Sequence, residues 1–356
     1  MWKIAPVKHC RINPEPALCA MKQPLRSSGK CMRKIRLQQF FCLGMSLLVL
    51  LQAAEAGMIA SQTPRLRPLS ESYGEMQWSC SVSSILEHGH MTYTIGDPEA
   101  GGWKSELEWP LENVFFLGGI ATLTFRQQFQ LNMGLWKSLP ASPGIMKDSD
   151  WLYQYYGNRK AIYSESDATV DSTRFDIHLR YNFFGDYVFL AGGMLGYSRT
   201  RQDWEVRDGY QWTIDSSEFY QGPLDGLSVT YKQVLDVPYI GMIVSMFSAK
   251  GLAGVNGYLL YSPVAKCHDE DDHILRAKLS RGHVQGDFLG AGVDLRWNVA
   301  DKWSVSGSVK YSSYDLEGDQ EQYFYAGEYA ESGTQGIDLT LRGRQLYVGL
   351  GAAYDF

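Results

Sequence analysis

The sequence predicts an all-β chain, an antiparallel ten-stranded transmembrane β-barrel with long extracellular loops. Three observations predict it. First, in the run Arg344–Phe356 the residues Leu346, Val348, Leu350, Ala352, Tyr354 and Phe356 share one parity. Gln345, Tyr347, Gly349, Gly351, Ala353 and Asp355 share the other, and Phe356 puts an aromatic ring at the last position. Successive strand side chains point to opposite faces, so this run has one apolar face and one small or polar face. A barrel wall between lipid and a polar lumen requires that division. Second, the pattern recurs upstream. Phe175, Ile177, Leu179, Tyr181 and Phe183 alternate with Arg174, Asp176, His178, Arg180 and Asn182. The segments Phe288–Trp297 and Lys302–Tyr311 alternate in the same way. A tilted strand crosses a bilayer in about 9–11 residues, and each segment is long enough. Third, the joins between segments alternate in length, as barrel turns and outer loops do. A soluble β-sandwich also alternates along its strands; the aromatic strand ends and the closing Phe356 weigh against it.

The N-terminal part sets the compartment. Met32-Arg-Lys-Ile-Arg36 is basic, Phe40 to Leu51 is apolar, and Ala54 and Ala56 form a small-x-small site before Gly57. This reads as a secretory signal peptide over 32–56. Residues 1–31 precede it and read as an upstream extension that is not part of the mature protein. The barrel domain is expected over 57–356, with 57–75 as a polar lead-in containing Pro64 and Pro68. Strands are expected near 79–96, 103–125, 128–139, 171–184, 186–207, 227–246, 251–265, 274–297, 302–317 and 340–356. Short joins fall at Arg126-Gln127, Gly185, Ser248-Ala249 and Ala300-Asp301, and long joins near 140–170, 208–226, 266–273 and 318–339. An even strand number with both termini periplasmic puts the long joins outside the cell.

Of six cysteines, four precede the expected cleavage point, leaving Cys80 and Cys267. Cys80 is expected at the periplasmic rim and Cys267 in an outer loop, too far apart to be bridged. With 33 basic and 39 acidic residues the net charge is −6. No basic run occurs in the mature chain, so no nucleic-acid partner is expected.

Two acidic clusters carry the candidate chemistry. Lys147-Asp-Ser-Asp-Trp151 places Asp148 and Asp150 two apart, hence on one face of an extended segment. His268-Asp-Glu-Asp-Asp-His273 places Asp269, Asp271 and His273 on one parity. Both are expected in outer loops, after the third and seventh strands, facing each other across the mouth. His273 suits a general base oriented by Asp271. Asp148 and Asp150 repel each other, so one is able to hold a proton and help bind water or an oxyanion. The same oxygens are hard donors, and loose Ca²⁺ binding is an open alternative. No zinc motif, phosphate-cradling loop or Gly-x-Ser-x-Gly elbow is present.

These clusters carry a resemblance. Tyr231-Lys-Gln-Val-Leu-Asp-Val-Pro-Tyr-Ile-Gly241, Ser105-Glu-Leu-Glu-Trp109 and the two acidic runs, in that arrangement, resemble the omptin family of outer-membrane proteases over most of residues 85–356. The resemblance implies a ten-stranded barrel and an aspartyl-type endopeptidase without a cofactor. It assigns catalysis to Asp148, Asp150, Asp271 and His273, with the site facing the exterior of a bacterial outer membrane and acting on protein or peptide substrates. It also implies a basic preference before the cut, held by an Asp and a Glu. Asp269 matches the Asp, whereas the Glu position is matched to His90, from which a weaker basic preference is expected. Lipopolysaccharide as an activator, with outer-membrane lipid as partner, is implied through Tyr197 and Arg201, while a further arginine position is occupied by Val234. No metal is expected. The alternative from another class is a catalytically silent barrel serving as an adhesin or structural protein. A passive pore fits less well, because the lumen of so narrow a barrel fills with side chains.

Overall fold

The computed structural model describes residues 76–97, 102–186, 188–213, 221–248 and 251–356. The expected signal peptide, the segment 1–31 and the lead-in 57–75 lie outside the described residues. The elements in order are β1 (Met76–Ile95), β2 (Trp103–Phe125), β3 (Phe129–Ser138), β4 (Ala141–Leu152), one helical turn α1 (Tyr153–Tyr156), β5 (Lys160–Gly185), β6 (Phe189–Thr213), β7 (Gln221–Phe247), β8 (Ala253–His273), a 3₁₀ turn (Ile274–Arg276), β9 (Lys278–Asn298), β10 (Trp303–Phe324) and β11 (Gly333–Asp355). Every pairing is antiparallel. β3 and β4 both pair with β2 and β5, so they are two parts of one stave broken at Leu139-Pro140. β1 pairs with both β2 and β11, which closes a ten-stave barrel. Closure reaches the last residue, whose backbone N–H donates to the Trp78 carbonyl at 2.9 Å.

The wall is apolar outside and polar inside, the inverse of a water-soluble protein. Val82, Leu195, Leu350 and Phe356 lie exposed on the outer surface, while Arg180, Asn182, Ser304 and Gln345 are buried within. Lipid covers the first set, because hydrocarbon is the solvent that apolar side chains suit. Trp78, Trp303, Tyr354 and Phe356 ring the lower rim. Above the apolar band the outer wall turns to ion pairs: Lys137 with Asp171, Arg201 with Asp203, Arg281 with Glu270 and Arg342 with Asp315. The staves therefore continue beyond the lipid, as outer-membrane barrels with long strands do.

The lumen is filled. Arg174 on β5 reaches across to donate to the Tyr347 hydroxyl on β11 at 2.9 Å and lies 3.5 Å from Glu87 on β1. Arg180 donates to Asn182 and to Ser245. Trp136 turns inward and donates to Ser83 at 2.9 Å. It fits because Gly118 and Gly134 flank it: a Cβ at Gly134 would lie 2.1 Å from the indole. The lower turn Phe125–Gln128 holds Arg126 and Gln127 at φ +54° and +52°, with Gln128 N–H donating to the Phe125 carbonyl at 3.1 Å. Two consecutive positive φ values give the mirror-image turn that matches strand twist.

The structure corrects the expected loop lengths. Residues 141–152 and 160–170 are strand, as are most of 208–226, 266–273 and 318–339. The two acidic clusters therefore sit on strands, not loops: Lys147–Trp151 on β4 and His268–His273 on β8. Cys267 is buried on β8 rather than placed in an outer loop, and both Cys80 and Cys267 are free.

Candidate active site

Bulges aim the site. On β8, Ser262 opposes Phe288 and Ala265 opposes Gly286, three steps on β8 against two on β9. The register with β7 shows the same extra residue, Asp236 to Ile240 opposing Lys266 to Tyr261. A single extra residue exchanges the faces of everything beyond it. Below the bulge Leu260 and Ser262 point inward; above it Ala265, Cys267, Asp269, Asp271 and His273 do, and all are buried. β2 has a comparable bulge, where Glu87 to Gly89 on β1 opposes Val114 to Leu111, with Asn113 at φ +60°. It keeps Leu107, Trp109 and Leu111 inside above it and Val114 and Phe116 inside below.

His273 Nε2 lies 2.9 Å from Asp271 Oδ2. On the β4 wall Asp148 accepts a long hydrogen bond from the Ser105 hydroxyl at 3.5 Å. Asp148 and His273 line one cavity of about 190 Å³. Its walls come from β4, β5, β6, β7, β8 and the 3₁₀ turn, through residues that include Ser164, Gln211, Ser228 and Arg276. Asp150 shares the parity of Asp148 and opposes Ser105 and Ile162. The structure thus brings the two acidic clusters to one cleft from separate staves.

Beneath the cleft lies an aromatic floor. Trp109 on β2 stacks on Tyr231 on β7, with ring centroids 4.6 Å apart, and meets Trp204 on β6 at 5.2 Å. Tyr231 is the cross-strand neighbour of Asp271. Its hydroxyl contacts that of Tyr93 on β1. Rings from facing walls therefore touch across the lumen at the level of Asp271. Alternation along one strand does not show that β2 and β7 meet.

Burial shapes the ionisation of the site, which stands above the lipid band. Burial first, and the charge of Asp150 second, push the Asp148 carboxyl up to about 6, against the pull of Arg276, His273 and Lys278. Burial and the neighbouring Asp271 push Asp269 up to about 7, while the Gly282 backbone N–H works the other way. Burial depresses the Lys278 ammonium, with Asp271 opposing the shift. Among the described residues, Asp269 Oδ2 and Asp271 Oδ1 are buried without a hydrogen-bond partner. Buried acceptors left open in this way are what a substrate or a water would satisfy.

His90 is not in the groove. On β1 the inward residues are Glu87, Met91, Tyr93 and Ile95, all buried, whereas His88 and His90 are exposed on the outer wall. His90 pairs with Arg344 and Pro110, and Met91 with Gly343 and Trp109. Matching the Glu position to His90 is thus one residue out, and one residue reverses the face. The inward neighbour at this height is Met91, so Asp269 has no second carboxylate from β1 there. Tyr197 and Arg201 lie on the outer wall of β6. The Tyr197 hydroxyl donates to Asp236, and Arg201 is already paired with Asp203 at 2.9 Å and faces Val234 across the strands. Among the described residues no group of three or more His, Cys, Asp or Glu side chains is arranged to hold a metal ion.

A family model described as the Omptin family matches residues 78–356. The plasminogen activator of Yersinia pestis is 24% identical over 241 residues, covering 67% of this chain and 76% of that protein. The outer membrane protease IcsP of Shigella flexneri is 21% identical over 258 residues, covering 69% of this chain and 80% of that protein. The crystal structure of the outer membrane protease OmpT from Escherichia coli superposes with a TM-score of 0.70 at 18% identity, covering 80% of this chain and all of that one. At that identity the superposition shows the shared barrel fold.

Proposed function

The chain belongs to the omptin family, and on that premise we propose that its cleft hydrolyses peptide bonds with a water activated by Asp271 and His273 opposite Asp148 and Asp150. Membership alone makes it an outer-membrane β-barrel protease, a hydrolase of protein or peptide substrates, with its cleft at the extracellular end.

The observation that carries the finer reading is the 2.9 Å Asp271–His273 pair on one wall of a cavity whose other wall presents Asp148. In the proposed mechanism His273 Nε2–H donates to Asp271, which leaves Nδ1 as the base facing the cavity. Nδ1 takes a proton from water as the oxygen attacks the scissile carbonyl, and Asp271 stabilises the imidazolium that forms. The imidazolium then gives its proton to the departing amine. Asp148 and Asp150 hold the water by accepting its hydrogen bonds. In the protonated fraction that its raised proton affinity provides, Asp148 donates to the oxyanion. The reaction is of the aspartyl type in that carboxylates hold the water, and no metal or organic cofactor enters it.

Asp269, deep beside the dyad, is assigned to a basic side chain before the cut. Without an inward carboxylate at Met91 its selectivity is expected to be weak. Lipopolysaccharide as an activator enters the proposal through Tyr197 and Arg201. With Val234 opposite Arg201 and Asp203 already engaging the guanidinium, stimulation by added lipopolysaccharide is expected to be small.

The test is hydrolysis of a peptide library by purified, refolded barrel. His273→Ala and Asp271→Asn should fold and lose turnover by about 10²- to 10⁴-fold, the usual worth of a positioned base. Because base and orienting partner act as a unit, the double variant should cost little more than either alone. Undiminished turnover in His273→Ala would remove it from the mechanism.

A further inference from the structure

We infer that Arg276, at the lip of the cleft, is a specificity-determining residue that selects substrates bearing a carboxylate on the outer side of the scissile bond. The inference rests on the cleft's being the hydrolytic site and adds a substrate class to that reading.

Arg276 lines the same cavity as Asp148 and His273 and is solvent-exposed. Among the described residues no hydrogen bond or close ion pair engages it, while its charge is felt at Asp148 and Lys278. Other arginines of the upper wall are engaged: Arg201 with Asp203, Arg207 with Glu205, Arg281 with Glu270 and Arg342 with Asp315. Arg276 is therefore a cation at the cavity which, among the described residues, has no carboxylate within ion-pair distance, its charge acting on Asp148 from farther off. Its position is fixed by the backbone. The 3₁₀ turn Ile274–Arg276 closes with Ala277 N–H donating to the Ile274 carbonyl at 3.2 Å, and Ala277 adopts a left-handed φ of +49°. The Ala277 carbonyl in turn accepts from Tyr325 N–H at 3.0 Å, which ties the turn to the segment after β10.

The order along this wall gives the cleft a polarity. Rising from the floor come Asp269, the Asp271–His273 pair, and then Arg276, with Lys278 beginning β9 beside it. A peptide lying past the dyad meets an anion on its inner side and a cation on its outer side. Across the cavity Arg276 faces Asp148, whose carboxyl holds its proton more firmly than usual, and His273 stands beside Arg276 on the same wall. A guanidinium presents paired N–H donors that match a carboxylate, so a substrate carboxylate would gain more there than its neutral amide. The carboxylate has two sources, an Asp or Glu side chain or the C-terminus of a short peptide.

The experiment uses the refolded full barrel and matched peptides with Asp or Asn, and Glu or Gln, at successive positions beyond the cut, each made as C-terminal acid and as amide. For an exposed cation the expected preference for the carboxylate over its amide is up to about fivefold in kcat/KM, carried mainly by KM. The ratio should fall to about one in Arg276→Gln, persist in part in Arg276→Lys, and invert in Arg276→Glu. A preference confined to C-terminal acids would place the chain end, rather than a side chain, at Arg276. Equal cleavage of acid and amide peptides by the unaltered protein overturns the inference, as does a preference that survives Arg276→Gln. Anisotropy of the same peptides, labelled, on the His273→Ala barrel separates the two readings. A protein that cleaves nothing, yet binds acidic peptides through Arg276, would sink the hydrolytic reading and keep this one.

Discussion

Asp148 shows how burial at the mouth converts into a pH response. Its carboxyl is lifted from the ordinary carboxylate range to about 6 by burial and by Asp150. Between about pH 4 and 6 the folded barrel therefore holds a proton that the unfolded chain has released, and folding stability falls as pH rises through that window and then levels. Asp148→Asn, which cannot ionise, should come close to the unaltered protein near pH 4 and exceed it by up to about 3 kcal/mol above pH 7. Urea unfolding of the refolded barrel at pH 4, 6 and 8 measures this, and a difference that stays constant across the series would assign the titration elsewhere. The acidic residues of the site were legible because two-residue spacing fixes a common face in any extended segment. His90 was not: choosing between His90 and Met91 requires knowing which parity of β1 faces inward, and a one-residue error reverses the answer. Arg276 left no sequence signal, because an arginine in a turn gains meaning only from the cavity beneath it.

At the scale of elements, alternation located the membrane-crossing parts of the staves and missed their upward extensions. Lipid imposes the alternation, so the signal fades where the wall leaves lipid. On β4 the outward Lys147 and Trp151 face water, the latter beneath the ammonium groups of Lys104 and Lys160, and no apolar parity remains to be read. The bulge on β8 is likewise invisible in composition, although Pro263 marks it in retrospect, since proline in a sheet gathers at such irregularities. That bulge is predicted to be what turns the dyad inward. Deleting Val264 removes the extra residue and should carry Asp269, Asp271 and His273 to the outer wall, with His268 and Glu270 turning in. Peptide hydrolysis should then be lost while heat-modifiable gel migration, the mark of a closed barrel, is kept. Inserting one glycine next to Pro263 in the deletion variant should restore activity. If the deletion variant still cleaves peptides, the dyad owes its direction to some other constraint.

For the whole molecule the decisive step is closure. A sheet in hydrocarbon tolerates no edge, because each unpaired N–H or C=O there costs several kcal/mol, about as much as stranding it in any apolar medium. β11 closes both seams: it pairs with β10 from Trp303↔Tyr354 upward and with β1 from Ser79↔Asp355 to Ile95↔Leu339. The alternation of 346–356 sets which side chains of this stave meet lipid and which meet the lumen, where Gln345 and Tyr347 join the network around Tyr314 and Arg174. Truncation before Leu346 would leave the lower halves of β1 and β10 facing lipid with open ladders, and would remove the Tyr347 hydroxyl that Arg174 engages across the lumen. No shorter ring is available without moving every stave, since strand number, tilt and diameter are linked. The truncated protein keeps residues 32–56, the expected export signal, and should therefore be exported yet be absent from the outer-membrane fraction and show no heat-modifiable band. Recovery of a heat-modifiable outer-membrane barrel from that truncation would mean that 346–356 is dispensable for closure, and β1 would then have to find another partner.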